Sequence, residues 1–169
     1  LMPKLCFIGT SHLAPLAHAW FGDESSRYPS FQASFFAGGG TSLYEAELAP
    51  NYIIAPAASK LAESFQRSAH GETKIRLEEY DYFIVQGLDY PITELLRLSA
   101  MLATNEQFFS SACIEQVLTN NIECSPLTPC IKHILQYTTA PILISTTPKT
   151  SILAVEENPL EYKFYLAYA

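Results

Sequence analysis

A serine near the start of the chain stands between a short apolar run and a helix-like segment. The run at residues 5–8 is typical of a strand buried on both faces, and Gly9 breaks it. Residues 13–20 have helical content, with Pro15 in the first turn, where a missing N–H costs nothing. Ser11 therefore occupies a strand–turn–helix unit, and its hydroxyl is predicted to point outward at the carboxyl end of a sheet.

Two roles are open to Ser11 on this pattern. A serine in such a turn can act as a nucleophile, because the unpaired N–H groups of the next helix can stabilise a developing oxyanion. Alternatively, Ser11 or Thr10 simply caps the helix, since serine and threonine are both favoured at that position. The rest of the chain has to decide between the two.

A run of three glycines forms the second candidate element. Gly38, Gly39 and Gly40 follow a predicted strand at residues 31–37. Glycines let the backbone turn sharply and bring N–H groups close to a ligand, although a triglycine is also an ordinary flexible turn. The chain has no GxxxxGK[ST] pattern, so a nucleotide P-loop is not supported.

The order of elements predicts an α/β fold. Predicted strands cover residues 5–8, 31–37, 80–86 and 139–148, with a short strand or ordered loop at 51–56. Predicted helices cover residues 13–20, 57–68, 92–103, 110–119 and 126–137. Such alternation favours a parallel sheet covered on both faces, with ligands bound outside the carboxyl ends of the strands. The loops with Ser11, the glycines, Asp89 and Thr146 should converge there.

The amino-acid composition limits the size of the fold, the partners and the location that can be expected for this chain. A chain of 169 residues, 49% hydrophobic, can bury the core of one domain but not of two full ones. The net charge of −7 argues against nucleic acid or an anionic membrane as partner. Without a secretory signal or an apolar run of about 20 residues, a cytoplasmic location is predicted. The four cysteines lack CxxC spacing, so they are predicted to be buried free thiols rather than zinc ligands: Cys6, Cys113, Cys124 and Cys130.

Three short blocks resemble the SGNH (GDSL-like) hydrolase superfamily. Gly9-Thr10-Ser11-His12 is similar to the block that holds the nucleophilic serine, with Thr10 in place of aspartate. Gly39 or Gly40 would match the oxyanion-hole glycine. Gly87-Leu88-Asp89-Tyr90 resembles the third block, although Asp89 stands where the family has asparagine. The resemblance covers roughly residues 1–150.

This resemblance implies a fold and an activity. The implied fold is a three-layer α/β/α sandwich with a mainly parallel, flavodoxin-like sheet, forming one domain over residues 1–169. The implied activity is hydrolysis of acyl or acetyl esters, with Ser11 as nucleophile and Gly39, Gly40 and Asp89 near the oxyanion. Small-molecule or carbohydrate esters would be the substrates. Neither a metal nor an organic cofactor is needed.

The family's base is the missing part. The Asp-x-x-His block is absent, which predicts an N-terminal fragment of a longer protein or a shortened relative. His12 is a candidate base, but neighbouring side chains at a helix start diverge. An ionised Asp89 would repel an oxyanion, so it is protonated, turned away, or only a turn residue before Pro91.

Two other functions remain open at this point. The first is a non-catalytic binding or scaffold domain that kept the fold and lost the base. The second is a flavodoxin-like binder of phosphate or nucleotide at the first helix. A missing strand would expose a sheet edge and favour association between chains.

Overall fold

The computed structural model describes residues 2–39, 41–88 and 110–146. The chain divides into two compact units, Leu1–Leu88 with Ser125–Thr147 and Asp89–Cys124 with Pro148–Ala169. The helix predicted at 92–103 and the tail at 151–169 lie outside the described residues. The single domain predicted over residues 1–169 stays a prediction.

The first unit contains a parallel and an antiparallel sheet. In chain order the strands are β1 (Lys4–Gly9), β2 (Gln32–Ala37), β3 (Glu47–Ala49), β4 (Tyr52–Ile54), β5 (Lys74–Arg76), β6 (Tyr82–Leu88) and β7 (Ile142–Thr146). The parallel sheet has the order β2-β1-β6-β7, and β3-β4-β5 form the antiparallel sheet. The predicted α/β class with parallel strands is confirmed.

The order of the parallel strands creates a switch point beside β1. The chain passes from β2 on one side of β1 to β6 on its other side, so the strand order reverses between β1 and β6. Gly9, the last residue of β1, is aligned with Ala37 and with Gln86 of its two neighbours. In open α/β sheets ligands bind at this place, outside the carboxyl ends of the strands.

Helices connect these strands. They are α1 (Leu13–Ala19), α2 (Ser25–Arg27), α3 (Lys60–Ser68), α4 (Ser111–Glu123) and α5 (Leu127–Tyr137), of which α4 belongs to the second unit. A π-helical turn at Trp20–Glu24 joins α1 to α2, so the polar residues 22–27, whose composition predicts a loop, are helical. Trp20 stacks on Tyr28 and Phe31, with centroids 6.2 and 5.3 Å apart, which holds this segment together.

Two adjacent phenylalanines of β2 link the sheet to different helices. Phe35 belongs to the core formed with Leu13 and Ala17 of α1, whereas Phe36 meets Phe65 of α3 edge to face at 5.2 Å. Neighbouring side chains on a strand point to opposite faces of the sheet. The two contacts therefore lie on opposite faces of β2.

The outer strands of the parallel sheet differ in how they are covered. The N–H of Ala37 on β2 donates to Oγ of Ser68 in α3 at 3.0 Å, which satisfies one group on that edge. On β7, Leu143 and Ile144 are 56% and 55% exposed. The prediction of a buried strand is wrong for these two side chains, because β7 is the outermost strand among the described residues.

A buried histidine ties α5 to the hairpin of the antiparallel sheet. Nε2 of His133 lies 2.8 Å from the carbonyl oxygen of Ala49 and 3.1 Å from that of Tyr52. Both carbonyls are acceptors, so Nε2 carries the proton and donates to them. Between these residues Asn51 adopts φ 63°, the left-handed conformation of a tight turn.

Candidate functional site

Ser11 lies at the carboxyl end of β1, next to the switch point. The N–H of Thr10 donates to the carbonyl of Gln86 at 3.3 Å, so contact with β6 continues one residue beyond Gly9. The chain then leaves the sheet, and Ser11 is exposed. Its side chain is therefore accessible where the strand order reverses, as the strand–turn–helix pattern predicts.

Side-chain capping does not explain this serine. His12 occupies the N-cap position of α1 and makes no side-chain capping hydrogen bond. The N–H groups of Leu13 and Ala14 donate instead to the backbone carbonyls of Thr10 and Ser11, at 3.0 and 3.1 Å. The alternative in which Thr10 or Ser11 caps the helix is wrong. No described residue accepts a hydrogen bond from the N–H of Ser11 or His12.

Thr10 packs closely against Gly87 beside Ser11. Gly87 has φ +86°, and a Cβ placed on it would lie 2.4 Å from Oγ1 of Thr10. The register of β6 with β7 shifts between Gln86 and Leu88, on either side of this glycine. The strand predicted at residues 80–86, which would end before Gly87, is wrong at this end, since β6 runs through Gly87 to Leu88. Only glycine combines this backbone conformation with a threonine so close.

The glycine run begins inside the sheet and then leaves it. The N–H of Gly38 donates to the carbonyl of Gly9 at 2.8 Å, and a Cβ on Gly38 would lie 2.4 Å from Leu43. Gly39 is exposed, and its carbonyl accepts from the N–H of Ser42 at 3.0 Å. Gly9 and Gly38 thus bring the start of this loop beside the Ser11 turn. Gly40 lies outside the described residues.

Three buried side-chain oxygens of this region have no hydrogen-bond partner among the described residues: Oγ1 of Thr10, Oγ of Ser42 and Oε1 of Gln86. Thr10 follows β1, Gln86 lies near the end of β6, and Ser42 begins the 3₁₀ turn Ser42–Glu45. Buried polar atoms are normally paired, and an ordered water or a ligand can supply such a partner. Sequence reasoning missed Ser42 and Gln86. A glutamine inside the apolar strand β6 was the available signal.

The four histidines differ in what their side chains contact. His133 donates to two carbonyls, and His70 meets the ring of Phe21 with centroids 3.9 Å apart. His18 lies in the last turn of α1, whereas His12 is exposed and adjacent to Ser11. Within the described ranges no hydrogen bond joins a histidine to Ser11.

The cysteines divide into buried and exposed pairs. Cys6 and Cys130 are buried, whereas Cys113 and Cys124 are exposed, so the prediction of four buried thiols is wrong for the second pair. Burial raises the pKa of the Cys130 thiol to about 11 and that of Cys6 well above 9.0. Neither buried thiol is therefore a thiolate nucleophile at neutral pH. No group of three or more potential metal ligands occurs among the described residues.

Asp89, the residue in the position of the family asparagine, lies outside the described residues. No family model, curated protein or solved structure matches the chain. None of the helices in the described part is long and apolar enough to cross a bilayer. The candidate site thus rests on the strand order, the Ser11 turn and the loop that begins at Gly38.

Proposed function

We propose that this chain is a serine acyl-ester hydrolase of the SGNH (GDSL-like) type with Ser11 as its nucleophile. The observation that carries the proposal is the exposed Ser11 directly beyond β1, at the switch point between β1 and β6. Its Oγ would attack the acyl carbon and release the alcohol. Water would then hydrolyse the acyl-serine and regenerate the hydroxyl.

The arrangement of the sheet supports this class of fold. Counting only the parallel strands, the order is 2-1-3-4, which corresponds to the first four strands of the flavodoxin-like order. Phe35 and Phe36 contact α1 and α3 on opposite faces, and α5 contacts β6. The finer architecture that we propose is a three-layer α/β/α sandwich of SGNH type.

The oxyanion would be held by backbone N–H groups. The N–H of Ser11 has no acceptor among the described residues, whereas that of Gly38 is already bonded to Gly9. The next glycines, Gly39 and Gly40, are therefore the donors that we propose as partners of Ser11. Asp89 would assist only as a protonated carboxyl group, because a carboxylate repels the oxyanion.

The mechanism also requires a catalytic base. In this chain the candidates are His12 or a histidine outside the blocks that resemble the family. The engagement of His133 with two carbonyls and of His70 with Phe21 favours a second candidate function. In that alternative, the domain binds an acyl ester or a related ligand without turning it over. Removal of a triad base lowers the rate by several orders of magnitude, so the two functions are well separated in activity.

Hydrolysis of a panel of p-nitrophenyl acyl esters and acetylated sugars tests the proposal. The hydrolase predicts ester cleavage that Ser11→Ala abolishes and that Ser30→Ala, at another exposed serine, leaves unchanged. Saturable ligand binding with no cleavage above the Ser11→Ala background would instead establish the binding domain. Cleavage that persists in Ser11→Ala would exclude Ser11 as the nucleophile.

A further inference from the structure

The strand β5 has one edge that no described strand covers, because it pairs with β4 on its other side alone. In an antiparallel pair, residues bonded to the neighbouring strand alternate with residues whose N–H and C=O groups point away from it. Two hydrogen bonds of the residues that flank β5 fix this alternation: Ala55 N–H to the carbonyl of Thr73 at 2.8 Å, and Leu77 N–H to the carbonyl of Asn51 at 2.9 Å. The backbone groups of Lys74 and Arg76 therefore point away from β4, and no described residue is hydrogen-bonded to them.

A cleft of about 340 Å³ lies beside this free edge. Lys74 and Arg76 line the cleft, whereas Ile75, which lies between them and is fully buried, does not. The residues that border the cleft are thus the ones whose backbone groups are free to pair. Ligand sites begin at about this volume, so the cleft can accept a short extended segment of chain.

The rest of the lining is mostly polar. Ser34 of β2 and Tyr80, just before β6, both line the cleft, and their side chains are hydrogen-bonded to each other. His70 and Glu79 add further polar groups. A peptide carries one donor and one acceptor per residue, and these need partners when they leave water. A polar cleft beside an unpaired strand edge therefore suits a peptide backbone.

The charge on β5 determines which strand can be added to it. Side chains alternate along a strand, so Lys74 and Arg76 lie on the face opposite to the buried Ile75. Arg76 is already paired with Glu79 at 3.0 Å, whereas Lys74 has no ion-pair partner among the described residues. Charged side chains on an edge strand disfavour indiscriminate pairing, and an opposite charge directly across the strands is stabilising. The favoured partner strand has a carboxylate opposite Lys74.

We infer that the free edge of β5 binds an extended peptide of a partner protein by β-strand addition, with a glutamate or aspartate opposite Lys74. The N–H and C=O groups of Lys74 and Arg76 pair with the backbone of the peptide, which becomes the fourth strand of the small sheet. The carboxylate of the peptide contacts the ammonium group of Lys74. The Ser11 site contributes no residue to this surface.

Fluorescence anisotropy with a labelled, end-blocked peptide of sequence Thr-Val-Glu-Val-Thr tests this inference on the full chain. The peptide is expected to bind saturably, and the same peptide with a central lysine at least about tenfold more weakly. N-methylation of the amides that face β5 removes the backbone donors, so it should also weaken binding by about tenfold or more. Lys74→Glu should reverse the preference between the two peptides. Lys60→Glu, which reverses an exposed charge outside the cleft, should leave the preference unchanged.

Amide hydrogen exchange measured by NMR separates strand addition from contact with side chains alone. Saturation with the glutamate peptide should slow exchange at the N–H groups of Lys74 and Arg76, and should change that of Ile75, which faces β4, much less. The inference is overturned by the absence of saturable binding, by equal binding of the two peptides, by a preference that Lys74→Glu leaves unchanged, or by unaltered exchange at Lys74 and Arg76. Ser11→Ala should not affect the binding, so the result is independent of the proposed hydrolase.

Discussion

The methyl group that an alanine would place on Gly87 lies 2.4 Å from Oγ1 of Thr10. The close approach of Gly87 to Thr10 places the end of β6 beside the residue that precedes Ser11. With the hydrogen bond from Thr10 to the carbonyl of Gln86, it fixes where the chain leaves β1. The position of Ser11, the candidate nucleophile, therefore depends on Gly87, which lies 76 residues further along the chain.

Gly87→Ala should lower the free energy of unfolding by about 2–4 kcal/mol, since it combines left-handed backbone strain with overpacking against Thr10. Urea denaturation measures this change. Gly71→Ala is the matched control, because Gly71 has φ +93° but open space around it, and it should cost only about 1 kcal/mol. The double variant with Thr10→Ala should recover part of the loss. Equal effects at Gly87 and Gly71 would contradict the close contact.

His133→Leu should destabilise the fold by about 1–3 kcal/mol, because it removes the donor from the part-buried carbonyls of Ala49 and Tyr52. Its clearest sign would be faster amide exchange in the β3–β4 hairpin. His133→Gln, whose amide nitrogen can donate to the same carbonyls, is expected to lose less stability. If both variants were as stable as the wild-type protein, His133 would not stabilise the β3–β4 hairpin.

Tyr80 makes stability depend on pH at the alkaline end. Its pKa rises from 10.0 to about 12 in the folded protein, mainly through burial, so folding favours the protonated phenol. The resulting stabilisation is complete below pH 10 and is lost as the pH rises toward 12. Tyr80→Phe should therefore flatten the fall in stability over this range. An unchanged slope in urea titrations of the variant would show that Tyr80 does not contribute to it.

Two of the four thiols should react with Ellman's reagent in the native protein. Cys113 and Cys124 are exposed, whereas Cys6 and Cys130 are buried and should react only after unfolding. The count can be read from the absorbance of the released thiolate before and after addition of denaturant. Cys113→Ser and Cys124→Ser assign the two fast sites. Rapid reaction of all four thiols, or of none, would contradict the exposure of Cys113 and Cys124 and the burial of Cys6 and Cys130.

The main strands are predictable from sequence because β1, β6 and β7 are largely apolar runs and β2 has an alternating pattern. The antiparallel strands β3 and β5 are not, since each has three residues and β5 buries only Ile75. Because glycine usually interrupts a strand, the sequence predicts that the strand ends before Gly87, and no local pattern indicates a neighbouring Thr10. The exposure of Leu143 depends on whether another element covers β7. The apolar sequence of β7 itself does not indicate this.

For the candidate site, the sequence identifies the turn with Ser11 but not its surroundings. The glycine run is recognisable, whereas the bond that holds Gly38 against Gly9 links two distant segments. The unpaired oxygens of Ser42 and Gln86 likewise follow from burial, which depends on tertiary packing. Residue type and spacing therefore predict the candidate nucleophile, whereas the polar groups around it require the fold.

Intact-mass spectrometry after treatment with a fluorophosphonate probe tests the central claim most directly, because the probe labels serines whose hydroxyl is activated. The proposed hydrolase predicts one adduct per chain, lost in Ser11→Ala and retained in Ser30→Ala. No adduct on the folded wild-type chain would contradict an activated Ser11, and the non-catalytic binding domain would then be the better account of this fold.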